Sequence, residues 1–496
     1  MGRRRSSAEL LRHGVASAAV LDAPAVQRAA LDAAVHGLAR ARPELSAATP
    51  FAAWQRRAAI ASSLLLSALI GMAPGWGGNA AALLLAIPFL LIVLIRLAAL
   101  WHLAASGHSP AAAPPLTNPA DLSHYSVLVP LYDEVAVAPA LVTALAALDY
   151  PEGRLEILFI TEEDDEPTRR ALRAGTLQPY MQILTVPDGS PKTKPRALNY
   201  ALQFATGDYI AVYDAEDIPA PDQLRLAVAA FANGGTNLAC VQARLNIYNP
   251  GASLLTRQFT LEYAALFDAM LPALDKLGLP LPLGGTSNHF RRDHLLDAGA
   301  WDPYNVTEDA DLGFRLARQG KRVEMLASTT WEEAPAEPRA WLGQRTRWLK
   351  GWMQTYLVHM RDPLQLWRDL GAWRFFGFQV TLGGMVLSAL VHPWFYLLLA
   401  GNILAGRGAF PAGNATAWLC WSVLASGYVS AMALVALAVK RRGGSLLTRS
   451  ALWLPIYWLA ISLAAYRALV ELFIKPSYWQ KTPHGPRGVT MPSIVT

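Results

Sequence analysis

The sequence predicts an α/β domain with a mainly parallel sheet, facing the cytoplasm and inserted between transmembrane α-helices. Three observations carry that reading. Hydrophobic residues make up 53% of the chain and charged residues only 16%, whereas soluble domains carry about 25% charged residues. Long apolar runs stand on both sides of a central segment. Within that segment short β-rich runs alternate with helical ones, the pattern of parallel strands joined by crossover helices.

Charge and cysteine content narrow the class. The net charge of +6 over 496 residues is modest. Arg dominates it and lies near apolar segments, which reads as positive-inside anchoring to a lipid bilayer before nucleic-acid binding. Cys240 and Cys420 are the two cysteines and fall in very different segments. They exclude a disulfide framework and a Cys-based zinc site. The first hydrophobic run begins near Ala58, too far in for a cleavable secretion signal.

Residues 1–57 are Ala- and Arg-rich with a weak helical pattern, a cytoplasmic helical lead-in. Residues 58–105 hold two apolar runs, 58–72 and 80–103, joined by an uncharged turn. They read as a transmembrane hairpin, with Arg56 and Arg57 on the inside. A Pro- and Ala-rich linker at 106–120 leads into the central domain, 121–360. There the stretches 125–130, 155–161, 181–186, 209–213 and 238–243 read as strands, and 137–148, 196–205 and 222–232 as helices. Downstream, 363–379 is amphipathic and rich in Trp, Phe and Arg, an interfacial helix. Two further apolar runs and a third containing Arg467 and Glu471 make 380–474 a set of transmembrane or re-entrant helices, with 475–496 as a tail.

Ligands of parallel sheets bind beyond the carboxyl ends of the strands, and the residues there are unusually polar. The first strand is followed by Tyr132, Asp133 and Glu134. The second is followed by Glu162, Glu163, Asp164, Asp165 and Glu166. The third leads to a basic stretch with Lys194 and Arg196, and the fourth to Asp214, Glu216 and Asp217. Carboxylates at three strand ends and cations at a fourth suit a divalent metal, magnesium or manganese, together with a polyphosphate. Each cluster alone also reads as a helix cap, but four in register on one edge do not.

Two later stretches extend the candidate site. Residues 283–291 (L-G-G-T-S-N-H-F-R) include Gly285, Thr286 and Ser287, small and hydroxyl groups that let a ligand approach the backbone. Thr307, Glu308 and Asp309 precede an amphipathic helix, so their carboxylates serve as a cap or as a general base. Residues 341–352 (W-L-G-Q-R-T-R-W-L-K-G-W) place Gln344, Arg347 and Trp348 at i, i+3 and i+4 on one helix face. Amide, guanidinium and indole together suit a sugar and a phosphate. An amphipathic helix at a membrane surface has the same composition.

These residues resemble the processive, membrane-embedded glycosyltransferases of family 2, the cellulose-synthase-like group with its bacterial exopolysaccharide and adhesin synthases. The likeness spans about 125–352 and, more loosely, the flanking membrane segments. Gln344, Arg347 and Trp348 match the family's Q-x-x-R-W motif, and Thr307-Glu308-Asp309 matches its T-E-D. Asp214-Ala215-Glu216 stands in place of D-x-D, with Asp217 next to it as a second candidate for the metal. Pro130, Tyr132 and Glu134 fall in its V-P-x-Y-N-E, with Asp133 in place of Asn. The tail residues Trp479, Lys481, Thr482, His484 and Gly485 resemble a W-x-K-T-x-H-G ending of such synthases. No cyclic-di-GMP-binding domain of the type found after bacterial cellulose synthases fits in so short a tail.

The resemblance implies a GT-A-type, Rossmann-like fold and a metal-dependent, inverting transfer from a nucleotide sugar, UDP-hexose first. It implies Asp309 as general base. Pro130, Tyr132, Glu134, Glu162, Glu163, Asp165, Lys194, Arg196, Asp214, Gln344 and Arg347 would hold the nucleotide sugar. Gly285, Thr286, Ser287, Glu308 and Trp348 would hold the growing glycan acceptor, and Asp214 with Glu216 or Asp217 the metal. It further implies a multi-pass protein of the bacterial inner membrane, a β-linked polysaccharide product, and export or accessory partners. Transfer of one sugar to a polyprenyl-phosphate lipid would use nearly the same domain chemistry. The tail reads as a flap over the donor or as a disordered end.

Overall fold

The computed structural model of the protein describes residues 24–72, 74–105, 122–404, 406 and 415–482. The 106–120 linker and the tail positions His484 and Gly485 lie outside them.

The central domain is an eight-stranded, mostly parallel sheet. Its strands are β1 (Tyr125–Leu131), β2 (Leu155–Glu162), β3 (Met181–Val186), β4 (Tyr209–Val212), β5 (Ile218–Pro219), β6 (Leu238–Ile247), β7 (Asn288–Arg291) and β8 (Arg322–Glu332). The order across the sheet is β3-β2-β1-β4-β7-β6-β8-β5. The first four positions are parallel throughout, β7 runs antiparallel to both β4 and β6, and β6 and β8 are parallel. Both faces are covered, which is why β1 and β2 read as unbroken apolar runs. Val127, Val129, Ile157 and Phe159 face one core with the helices Ala138–Ala146 and Gln223–Asn233. Leu128, Leu158 and Ile160 face the other with Lys194–Leu202.

The five strands read from sequence are present to within a few residues, and β5, β7 and β8 are additions. Asn288–Arg291 hides inside the stretch read as a ligand loop, because β7 is only four residues long and its partners lie far away in sequence. β8 carries Glu, Ser and Thr between its apolar positions, and half-buried strands of that composition give a weak apolar signal.

The second core does not stop at the domain's edge. Ala99 and Leu103 of the Pro74–Ala105 helix, and Ala431, Leu434, Val435 and Ala438 of Ala415–Arg441, join the same apolar cluster. Arg442 fastens that end, donating to Asp268 at 2.5 and 2.8 Å and to Asn246 at 2.8 Å. Among the described residues four helical segments are long and apolar enough to cross a membrane: Ala86–Ala105, Pro363–Leu397, Trp418–Arg441 and Ser445–Ile474. The Ala53–Met72 helix, whose first turn carries Arg56 and Arg57, is not among them. The amphipathic segment is a helix, Pro363–Phe378, broken at Gly371 and continued through a π-helical turn into Gly384–Leu404. The Leu454–Ile474 helix touches the central domain at both ends: Tyr457 donates to Glu262 at 2.9 Å and Glu471 accepts from Lys350 at 3.3 Å.

Candidate active site

A cavity of about 950 Å³ opens at the carboxyl ends of β1, β2 and β4 and continues between the long apolar helices. Of the sequence-selected residues, Pro130, Tyr132, Glu134, Glu162, Lys194, Asp214, Glu216, Gly285, Thr286, Glu308, Asp309, Gln344, Arg347 and Trp348 line it. Glu163, Asp165, Arg196, Asp217 and Ser287 do not.

The acids after β2 divide their work. Glu162 alone of the five lines the cavity. Fully buried Arg196 bonds it from behind, yet burial outweighs that guanidinium and leaves the Glu162 carboxyl above its ordinary range. Glu163 accepts from the Asp188 amide at 2.9 Å, and Asp164 pairs with Lys192 at 2.7 Å. Asp165 caps the Glu166–Ala174 helix at Thr168 and accepts the Asp133 amide at 2.6 Å. That bond fixes the turn at Asp133, whose φ of 54° is left-handed, and so positions Tyr132 and Glu134. Glu166 pairs with Arg169 at 3.0 Å.

The turn after β4 is braced in the same way. Asp217 is buried, accepts the Asp214 amide at 2.7 Å and takes the Thr286 hydroxyl. Burial and its acidic neighbours push its carboxyl well up. Asp214 and Glu216 project into the cavity instead. Lys194 meets Asp214 and donates to the Gly285 carbonyl at 2.7 Å. Burial works against the Lys194 charge, but Asp214, Glu308 and Asp309 together raise its pKa. Glu216 is pushed up to about 8 by burial first and by Asp214 second. Ser287 lies behind this turn, donating to the Thr330 hydroxyl at 2.6 Å.

Glu308 and Asp309 occupy the first turn of the Glu308–Arg318 helix, where unsatisfied amides favour negative charge. Glu308 is pushed up to about 8 by burial and by Asp309. Burial also raises Asp309, against the Ala310 amide, Lys194 and Arg347. Gly285 sits between the two acidic turns. A Cβ there would lie 3.5 Å from an Asp309 carboxylate oxygen and 3.9 Å from both Asp214 and Lys194. The backbone can approach a ligand at that point because no side chain intervenes.

The Pro338–His359 helix closes the cavity. It presses on Thr307 at Gly351, where a Cβ would come within 2.3 Å of the threonine hydroxyl. Gln344 Oε1, an acceptor, and Arg347 Nε, a donor, are buried without partners, and Arg347 Nη1 donates to the Val306 carbonyl at 3.5 Å. Trp348 lines the cavity but already packs on Phe259 at 5.8 Å, with the Arg345 guanidinium 4.6 Å from its ring centre. Trp341 is turned away and buried against Tyr457.

The tail folds over the same opening. Buried Lys350 donates to the carbonyls of Lys475 at 3.2 Å and Tyr478 at 2.9 Å, and Gln354 to Pro476 at 3.1 Å. Trp479 lies under Arg347, with the guanidinium 4.4 Å from its ring centre. Lys481 pairs with Glu134 at 3.1 Å. Sequence reading passed over Lys350, the Arg345–Glu262 pair (2.6 Å) and Glu332, which lines the cavity from the end of β8. Glu332 carried a usable signal, an acid ending a Thr- and Trp-containing alternation, had that strand been recognised.

Among the described residues no three His, Cys, Asp or Glu side chains form a ready-made metal cage. Asp214 and Glu216 nevertheless suit magnesium or manganese, which take one or two carboxylates and fill the remaining positions with phosphate and water. The raised carboxyls of Glu216, Asp217 and Glu332 mark a place short of positive charge.

Residues 122–351 match the family described as glycosyltransferase like family 2, so this segment is a family-2 glycosyltransferase domain. A probable glycosyltransferase YdaM of Bacillus subtilis is 28% identical over 58% of this chain and 71% of its own length. The β-monoglucosyldiacylglycerol synthase of Synechocystis is 28% identical over 76% of this chain and 79% of its own. Bacterial cellulose synthases are among the more distant relatives. In three dimensions the chain is similar to a mannosyltransferase of Pyrobaculum calidifontis, solved with GDP-mannose and Mn²⁺. That likeness has a TM-score of 0.53 at 22% identity, covers 80% of this chain and 99% of the other, and shows a shared GT-A-like fold.

Proposed function

We propose that the chain extends a β-linked polysaccharide at the cytoplasmic face of a bacterial inner membrane, using a UDP-linked hexose. The observation that carries this reading is the meeting of Asp309, Asp214 and Lys194 around Gly285, at the floor of a cavity that continues between apolar helices.

An acceptor hydroxyl oxygen attacks the anomeric carbon as the bond from that carbon to the diphosphate breaks. Asp309 takes the hydroxyl proton, and one displacement turns an α-linked donor into a β-glycoside. Lys194 and Arg347 face the diphosphate, and Gln344 adds an amide. Asp214 and Glu216, with Asp217 as brace, would hold a magnesium or manganese ion, whose charge would offset that of the departing diphosphate. Glu162, Tyr132 and Glu134 lie toward the nucleoside, where Lys481 of the tail forms a cover. Trp348 borders the acceptor through its exposed edge. Export or accessory proteins would take the product beyond the membrane.

A second reading, transfer of one sugar to a lipid, draws support from the similarity to a β-monoglucosyldiacylglycerol synthase. Membranes containing the chain, supplied with Mn²⁺ and a panel of radiolabelled nucleotide sugars, separate the two. We expect a water-soluble polymer with β-linkages. Label confined to a single-sugar product in the organic phase would establish the lipid reading, and no transfer from any donor would overturn both.

A further inference from the structure

We infer that the membrane half of the cavity holds an oxyanion of the acceptor, bound by Arg96. This rests on the glycosyltransferase reading of the site and names a property of its acceptor.

Arg96 stands in the middle of the apolar Ala86–Ala105 segment and lines the cavity that begins at Asp309. Its guanidinium donates to the Gly427 carbonyl at 3.3 Å and lies 5.1 Å over the Trp458 ring centre. Among the described residues no carboxylate pairs with it. A guanidinium among apolar helices is costly without a counter-ion, and such residues mark ligand paths.

His392 lines the same chamber, meets the Tyr428 hydroxyl through Nε2, and has its Nδ1 buried without a partner. Tyr428 shares its hydroxyl with Tyr396 at 2.5 Å and stacks on Trp458 at 5.3 Å. With Tyr428 and Arg96 both packed on it, the Trp458 ring steers the guanidinium and is no free platform for a neutral sugar. A planar fork of donors matches phosphate and carboxylate oxygens. The oxyanion is therefore a carboxylate on the glycan or a phosphate on its lipid end.

The test uses the full chain in lipid nanodiscs as wild type, Arg96→Gln and Arg96→Lys. Transfer is measured to three probes: a neutral oligosaccharide, a hexuronate-containing one of equal length, and a polyprenyl phosphate. For an anionic probe we expect Arg96→Gln to raise the acceptor KM about tenfold, the loss of one charge-assisted contact. Donor KM should be unchanged, and Arg96→Lys should recover part of the effect. An effect on the hexuronate alone assigns the carboxylate, and one on the polyprenyl phosphate alone assigns the lipid end. Arg96→Gln matching wild type on both anionic probes, or losing equally on the neutral one, overturns the site. Failure of wild type to transfer from any donor would instead overturn the underlying functional reading.

Discussion

The two acidic turns facing Gly285 are built alike and held differently. Each presents two carboxylates to the cavity, and in each the glutamate is pushed up to about 8 by burial and its aspartate neighbour. The turn after β4 is braced by the neighbouring strand-end loops, through Asp217 and Thr286. The Thr307–Asp309 turn is braced from outside the sheet, by the Pro338–His359 helix pressing at Gly351. Lys194 spans both. The Asp214 turn is thus set by its own strand-end loops, whereas the proposed base depends on how the Pro338–His359 helix packs against its turn.

The sharpest way to separate the turns is a pair of substitutions. Asp309→Asn should lower kcat by about 10²–10⁴-fold, the range for a general base, with little change in nucleotide-sugar affinity. Asp214→Asn should instead weaken donor binding and its Mn²⁺ dependence. Steady-state kinetics with a titrated donor check both, and an Asp309→Asn variant that transfers like wild type would end the base assignment.

Gly351→Ala attacks the outer brace alone. The added methyl has no room beside Thr307, and overpacking of this kind costs about 1–3 kcal/mol. We expect a lower unfolding midpoint and a kcat loss without loss of donor affinity. Equal losses in both would show that the turns are not held independently.

The smallest effect concerns pH. Glu308 keeps its proton in the folded chain up to about 8, while an unfolded glutamate loses it near 4.3. The folded state therefore binds more protons between these values, and stability falls as pH rises through that window, then levels off. Glu308→Gln removes this dependence, so its unfolding midpoint should gain on wild type between pH 5 and pH 8.5. A constant difference across that range would show that Glu308 titrates normally.

Much of this was legible in the chain itself. Apolar runs at β1 and β2, acids at three strand ends, and the Gln344, Arg347 and Trp348 face are local patterns, because strand alternation and helix periodicity depend on neighbours a few residues apart. They were sufficient for the α/β class and for most of the selected site residues, which line the cavity. Partner choice was beyond them. Which of Glu162, Glu163 and Asp165 reaches the cavity depends on Arg196, Asp188 and Asp133, groups brought near only by folding. That Glu216 faces the cavity while Asp217 turns inward follows from a hydroxyl 69 residues further along. Trp341 and Trp348 share a helix face with Arg347, yet Tyr457 and Phe259 cover parts of that face. Sequence by itself determined which chemistry was present. Only the tertiary structure decided which carboxylates, rings and cations were left unspent, since burial and pairing between distant segments consume most of them.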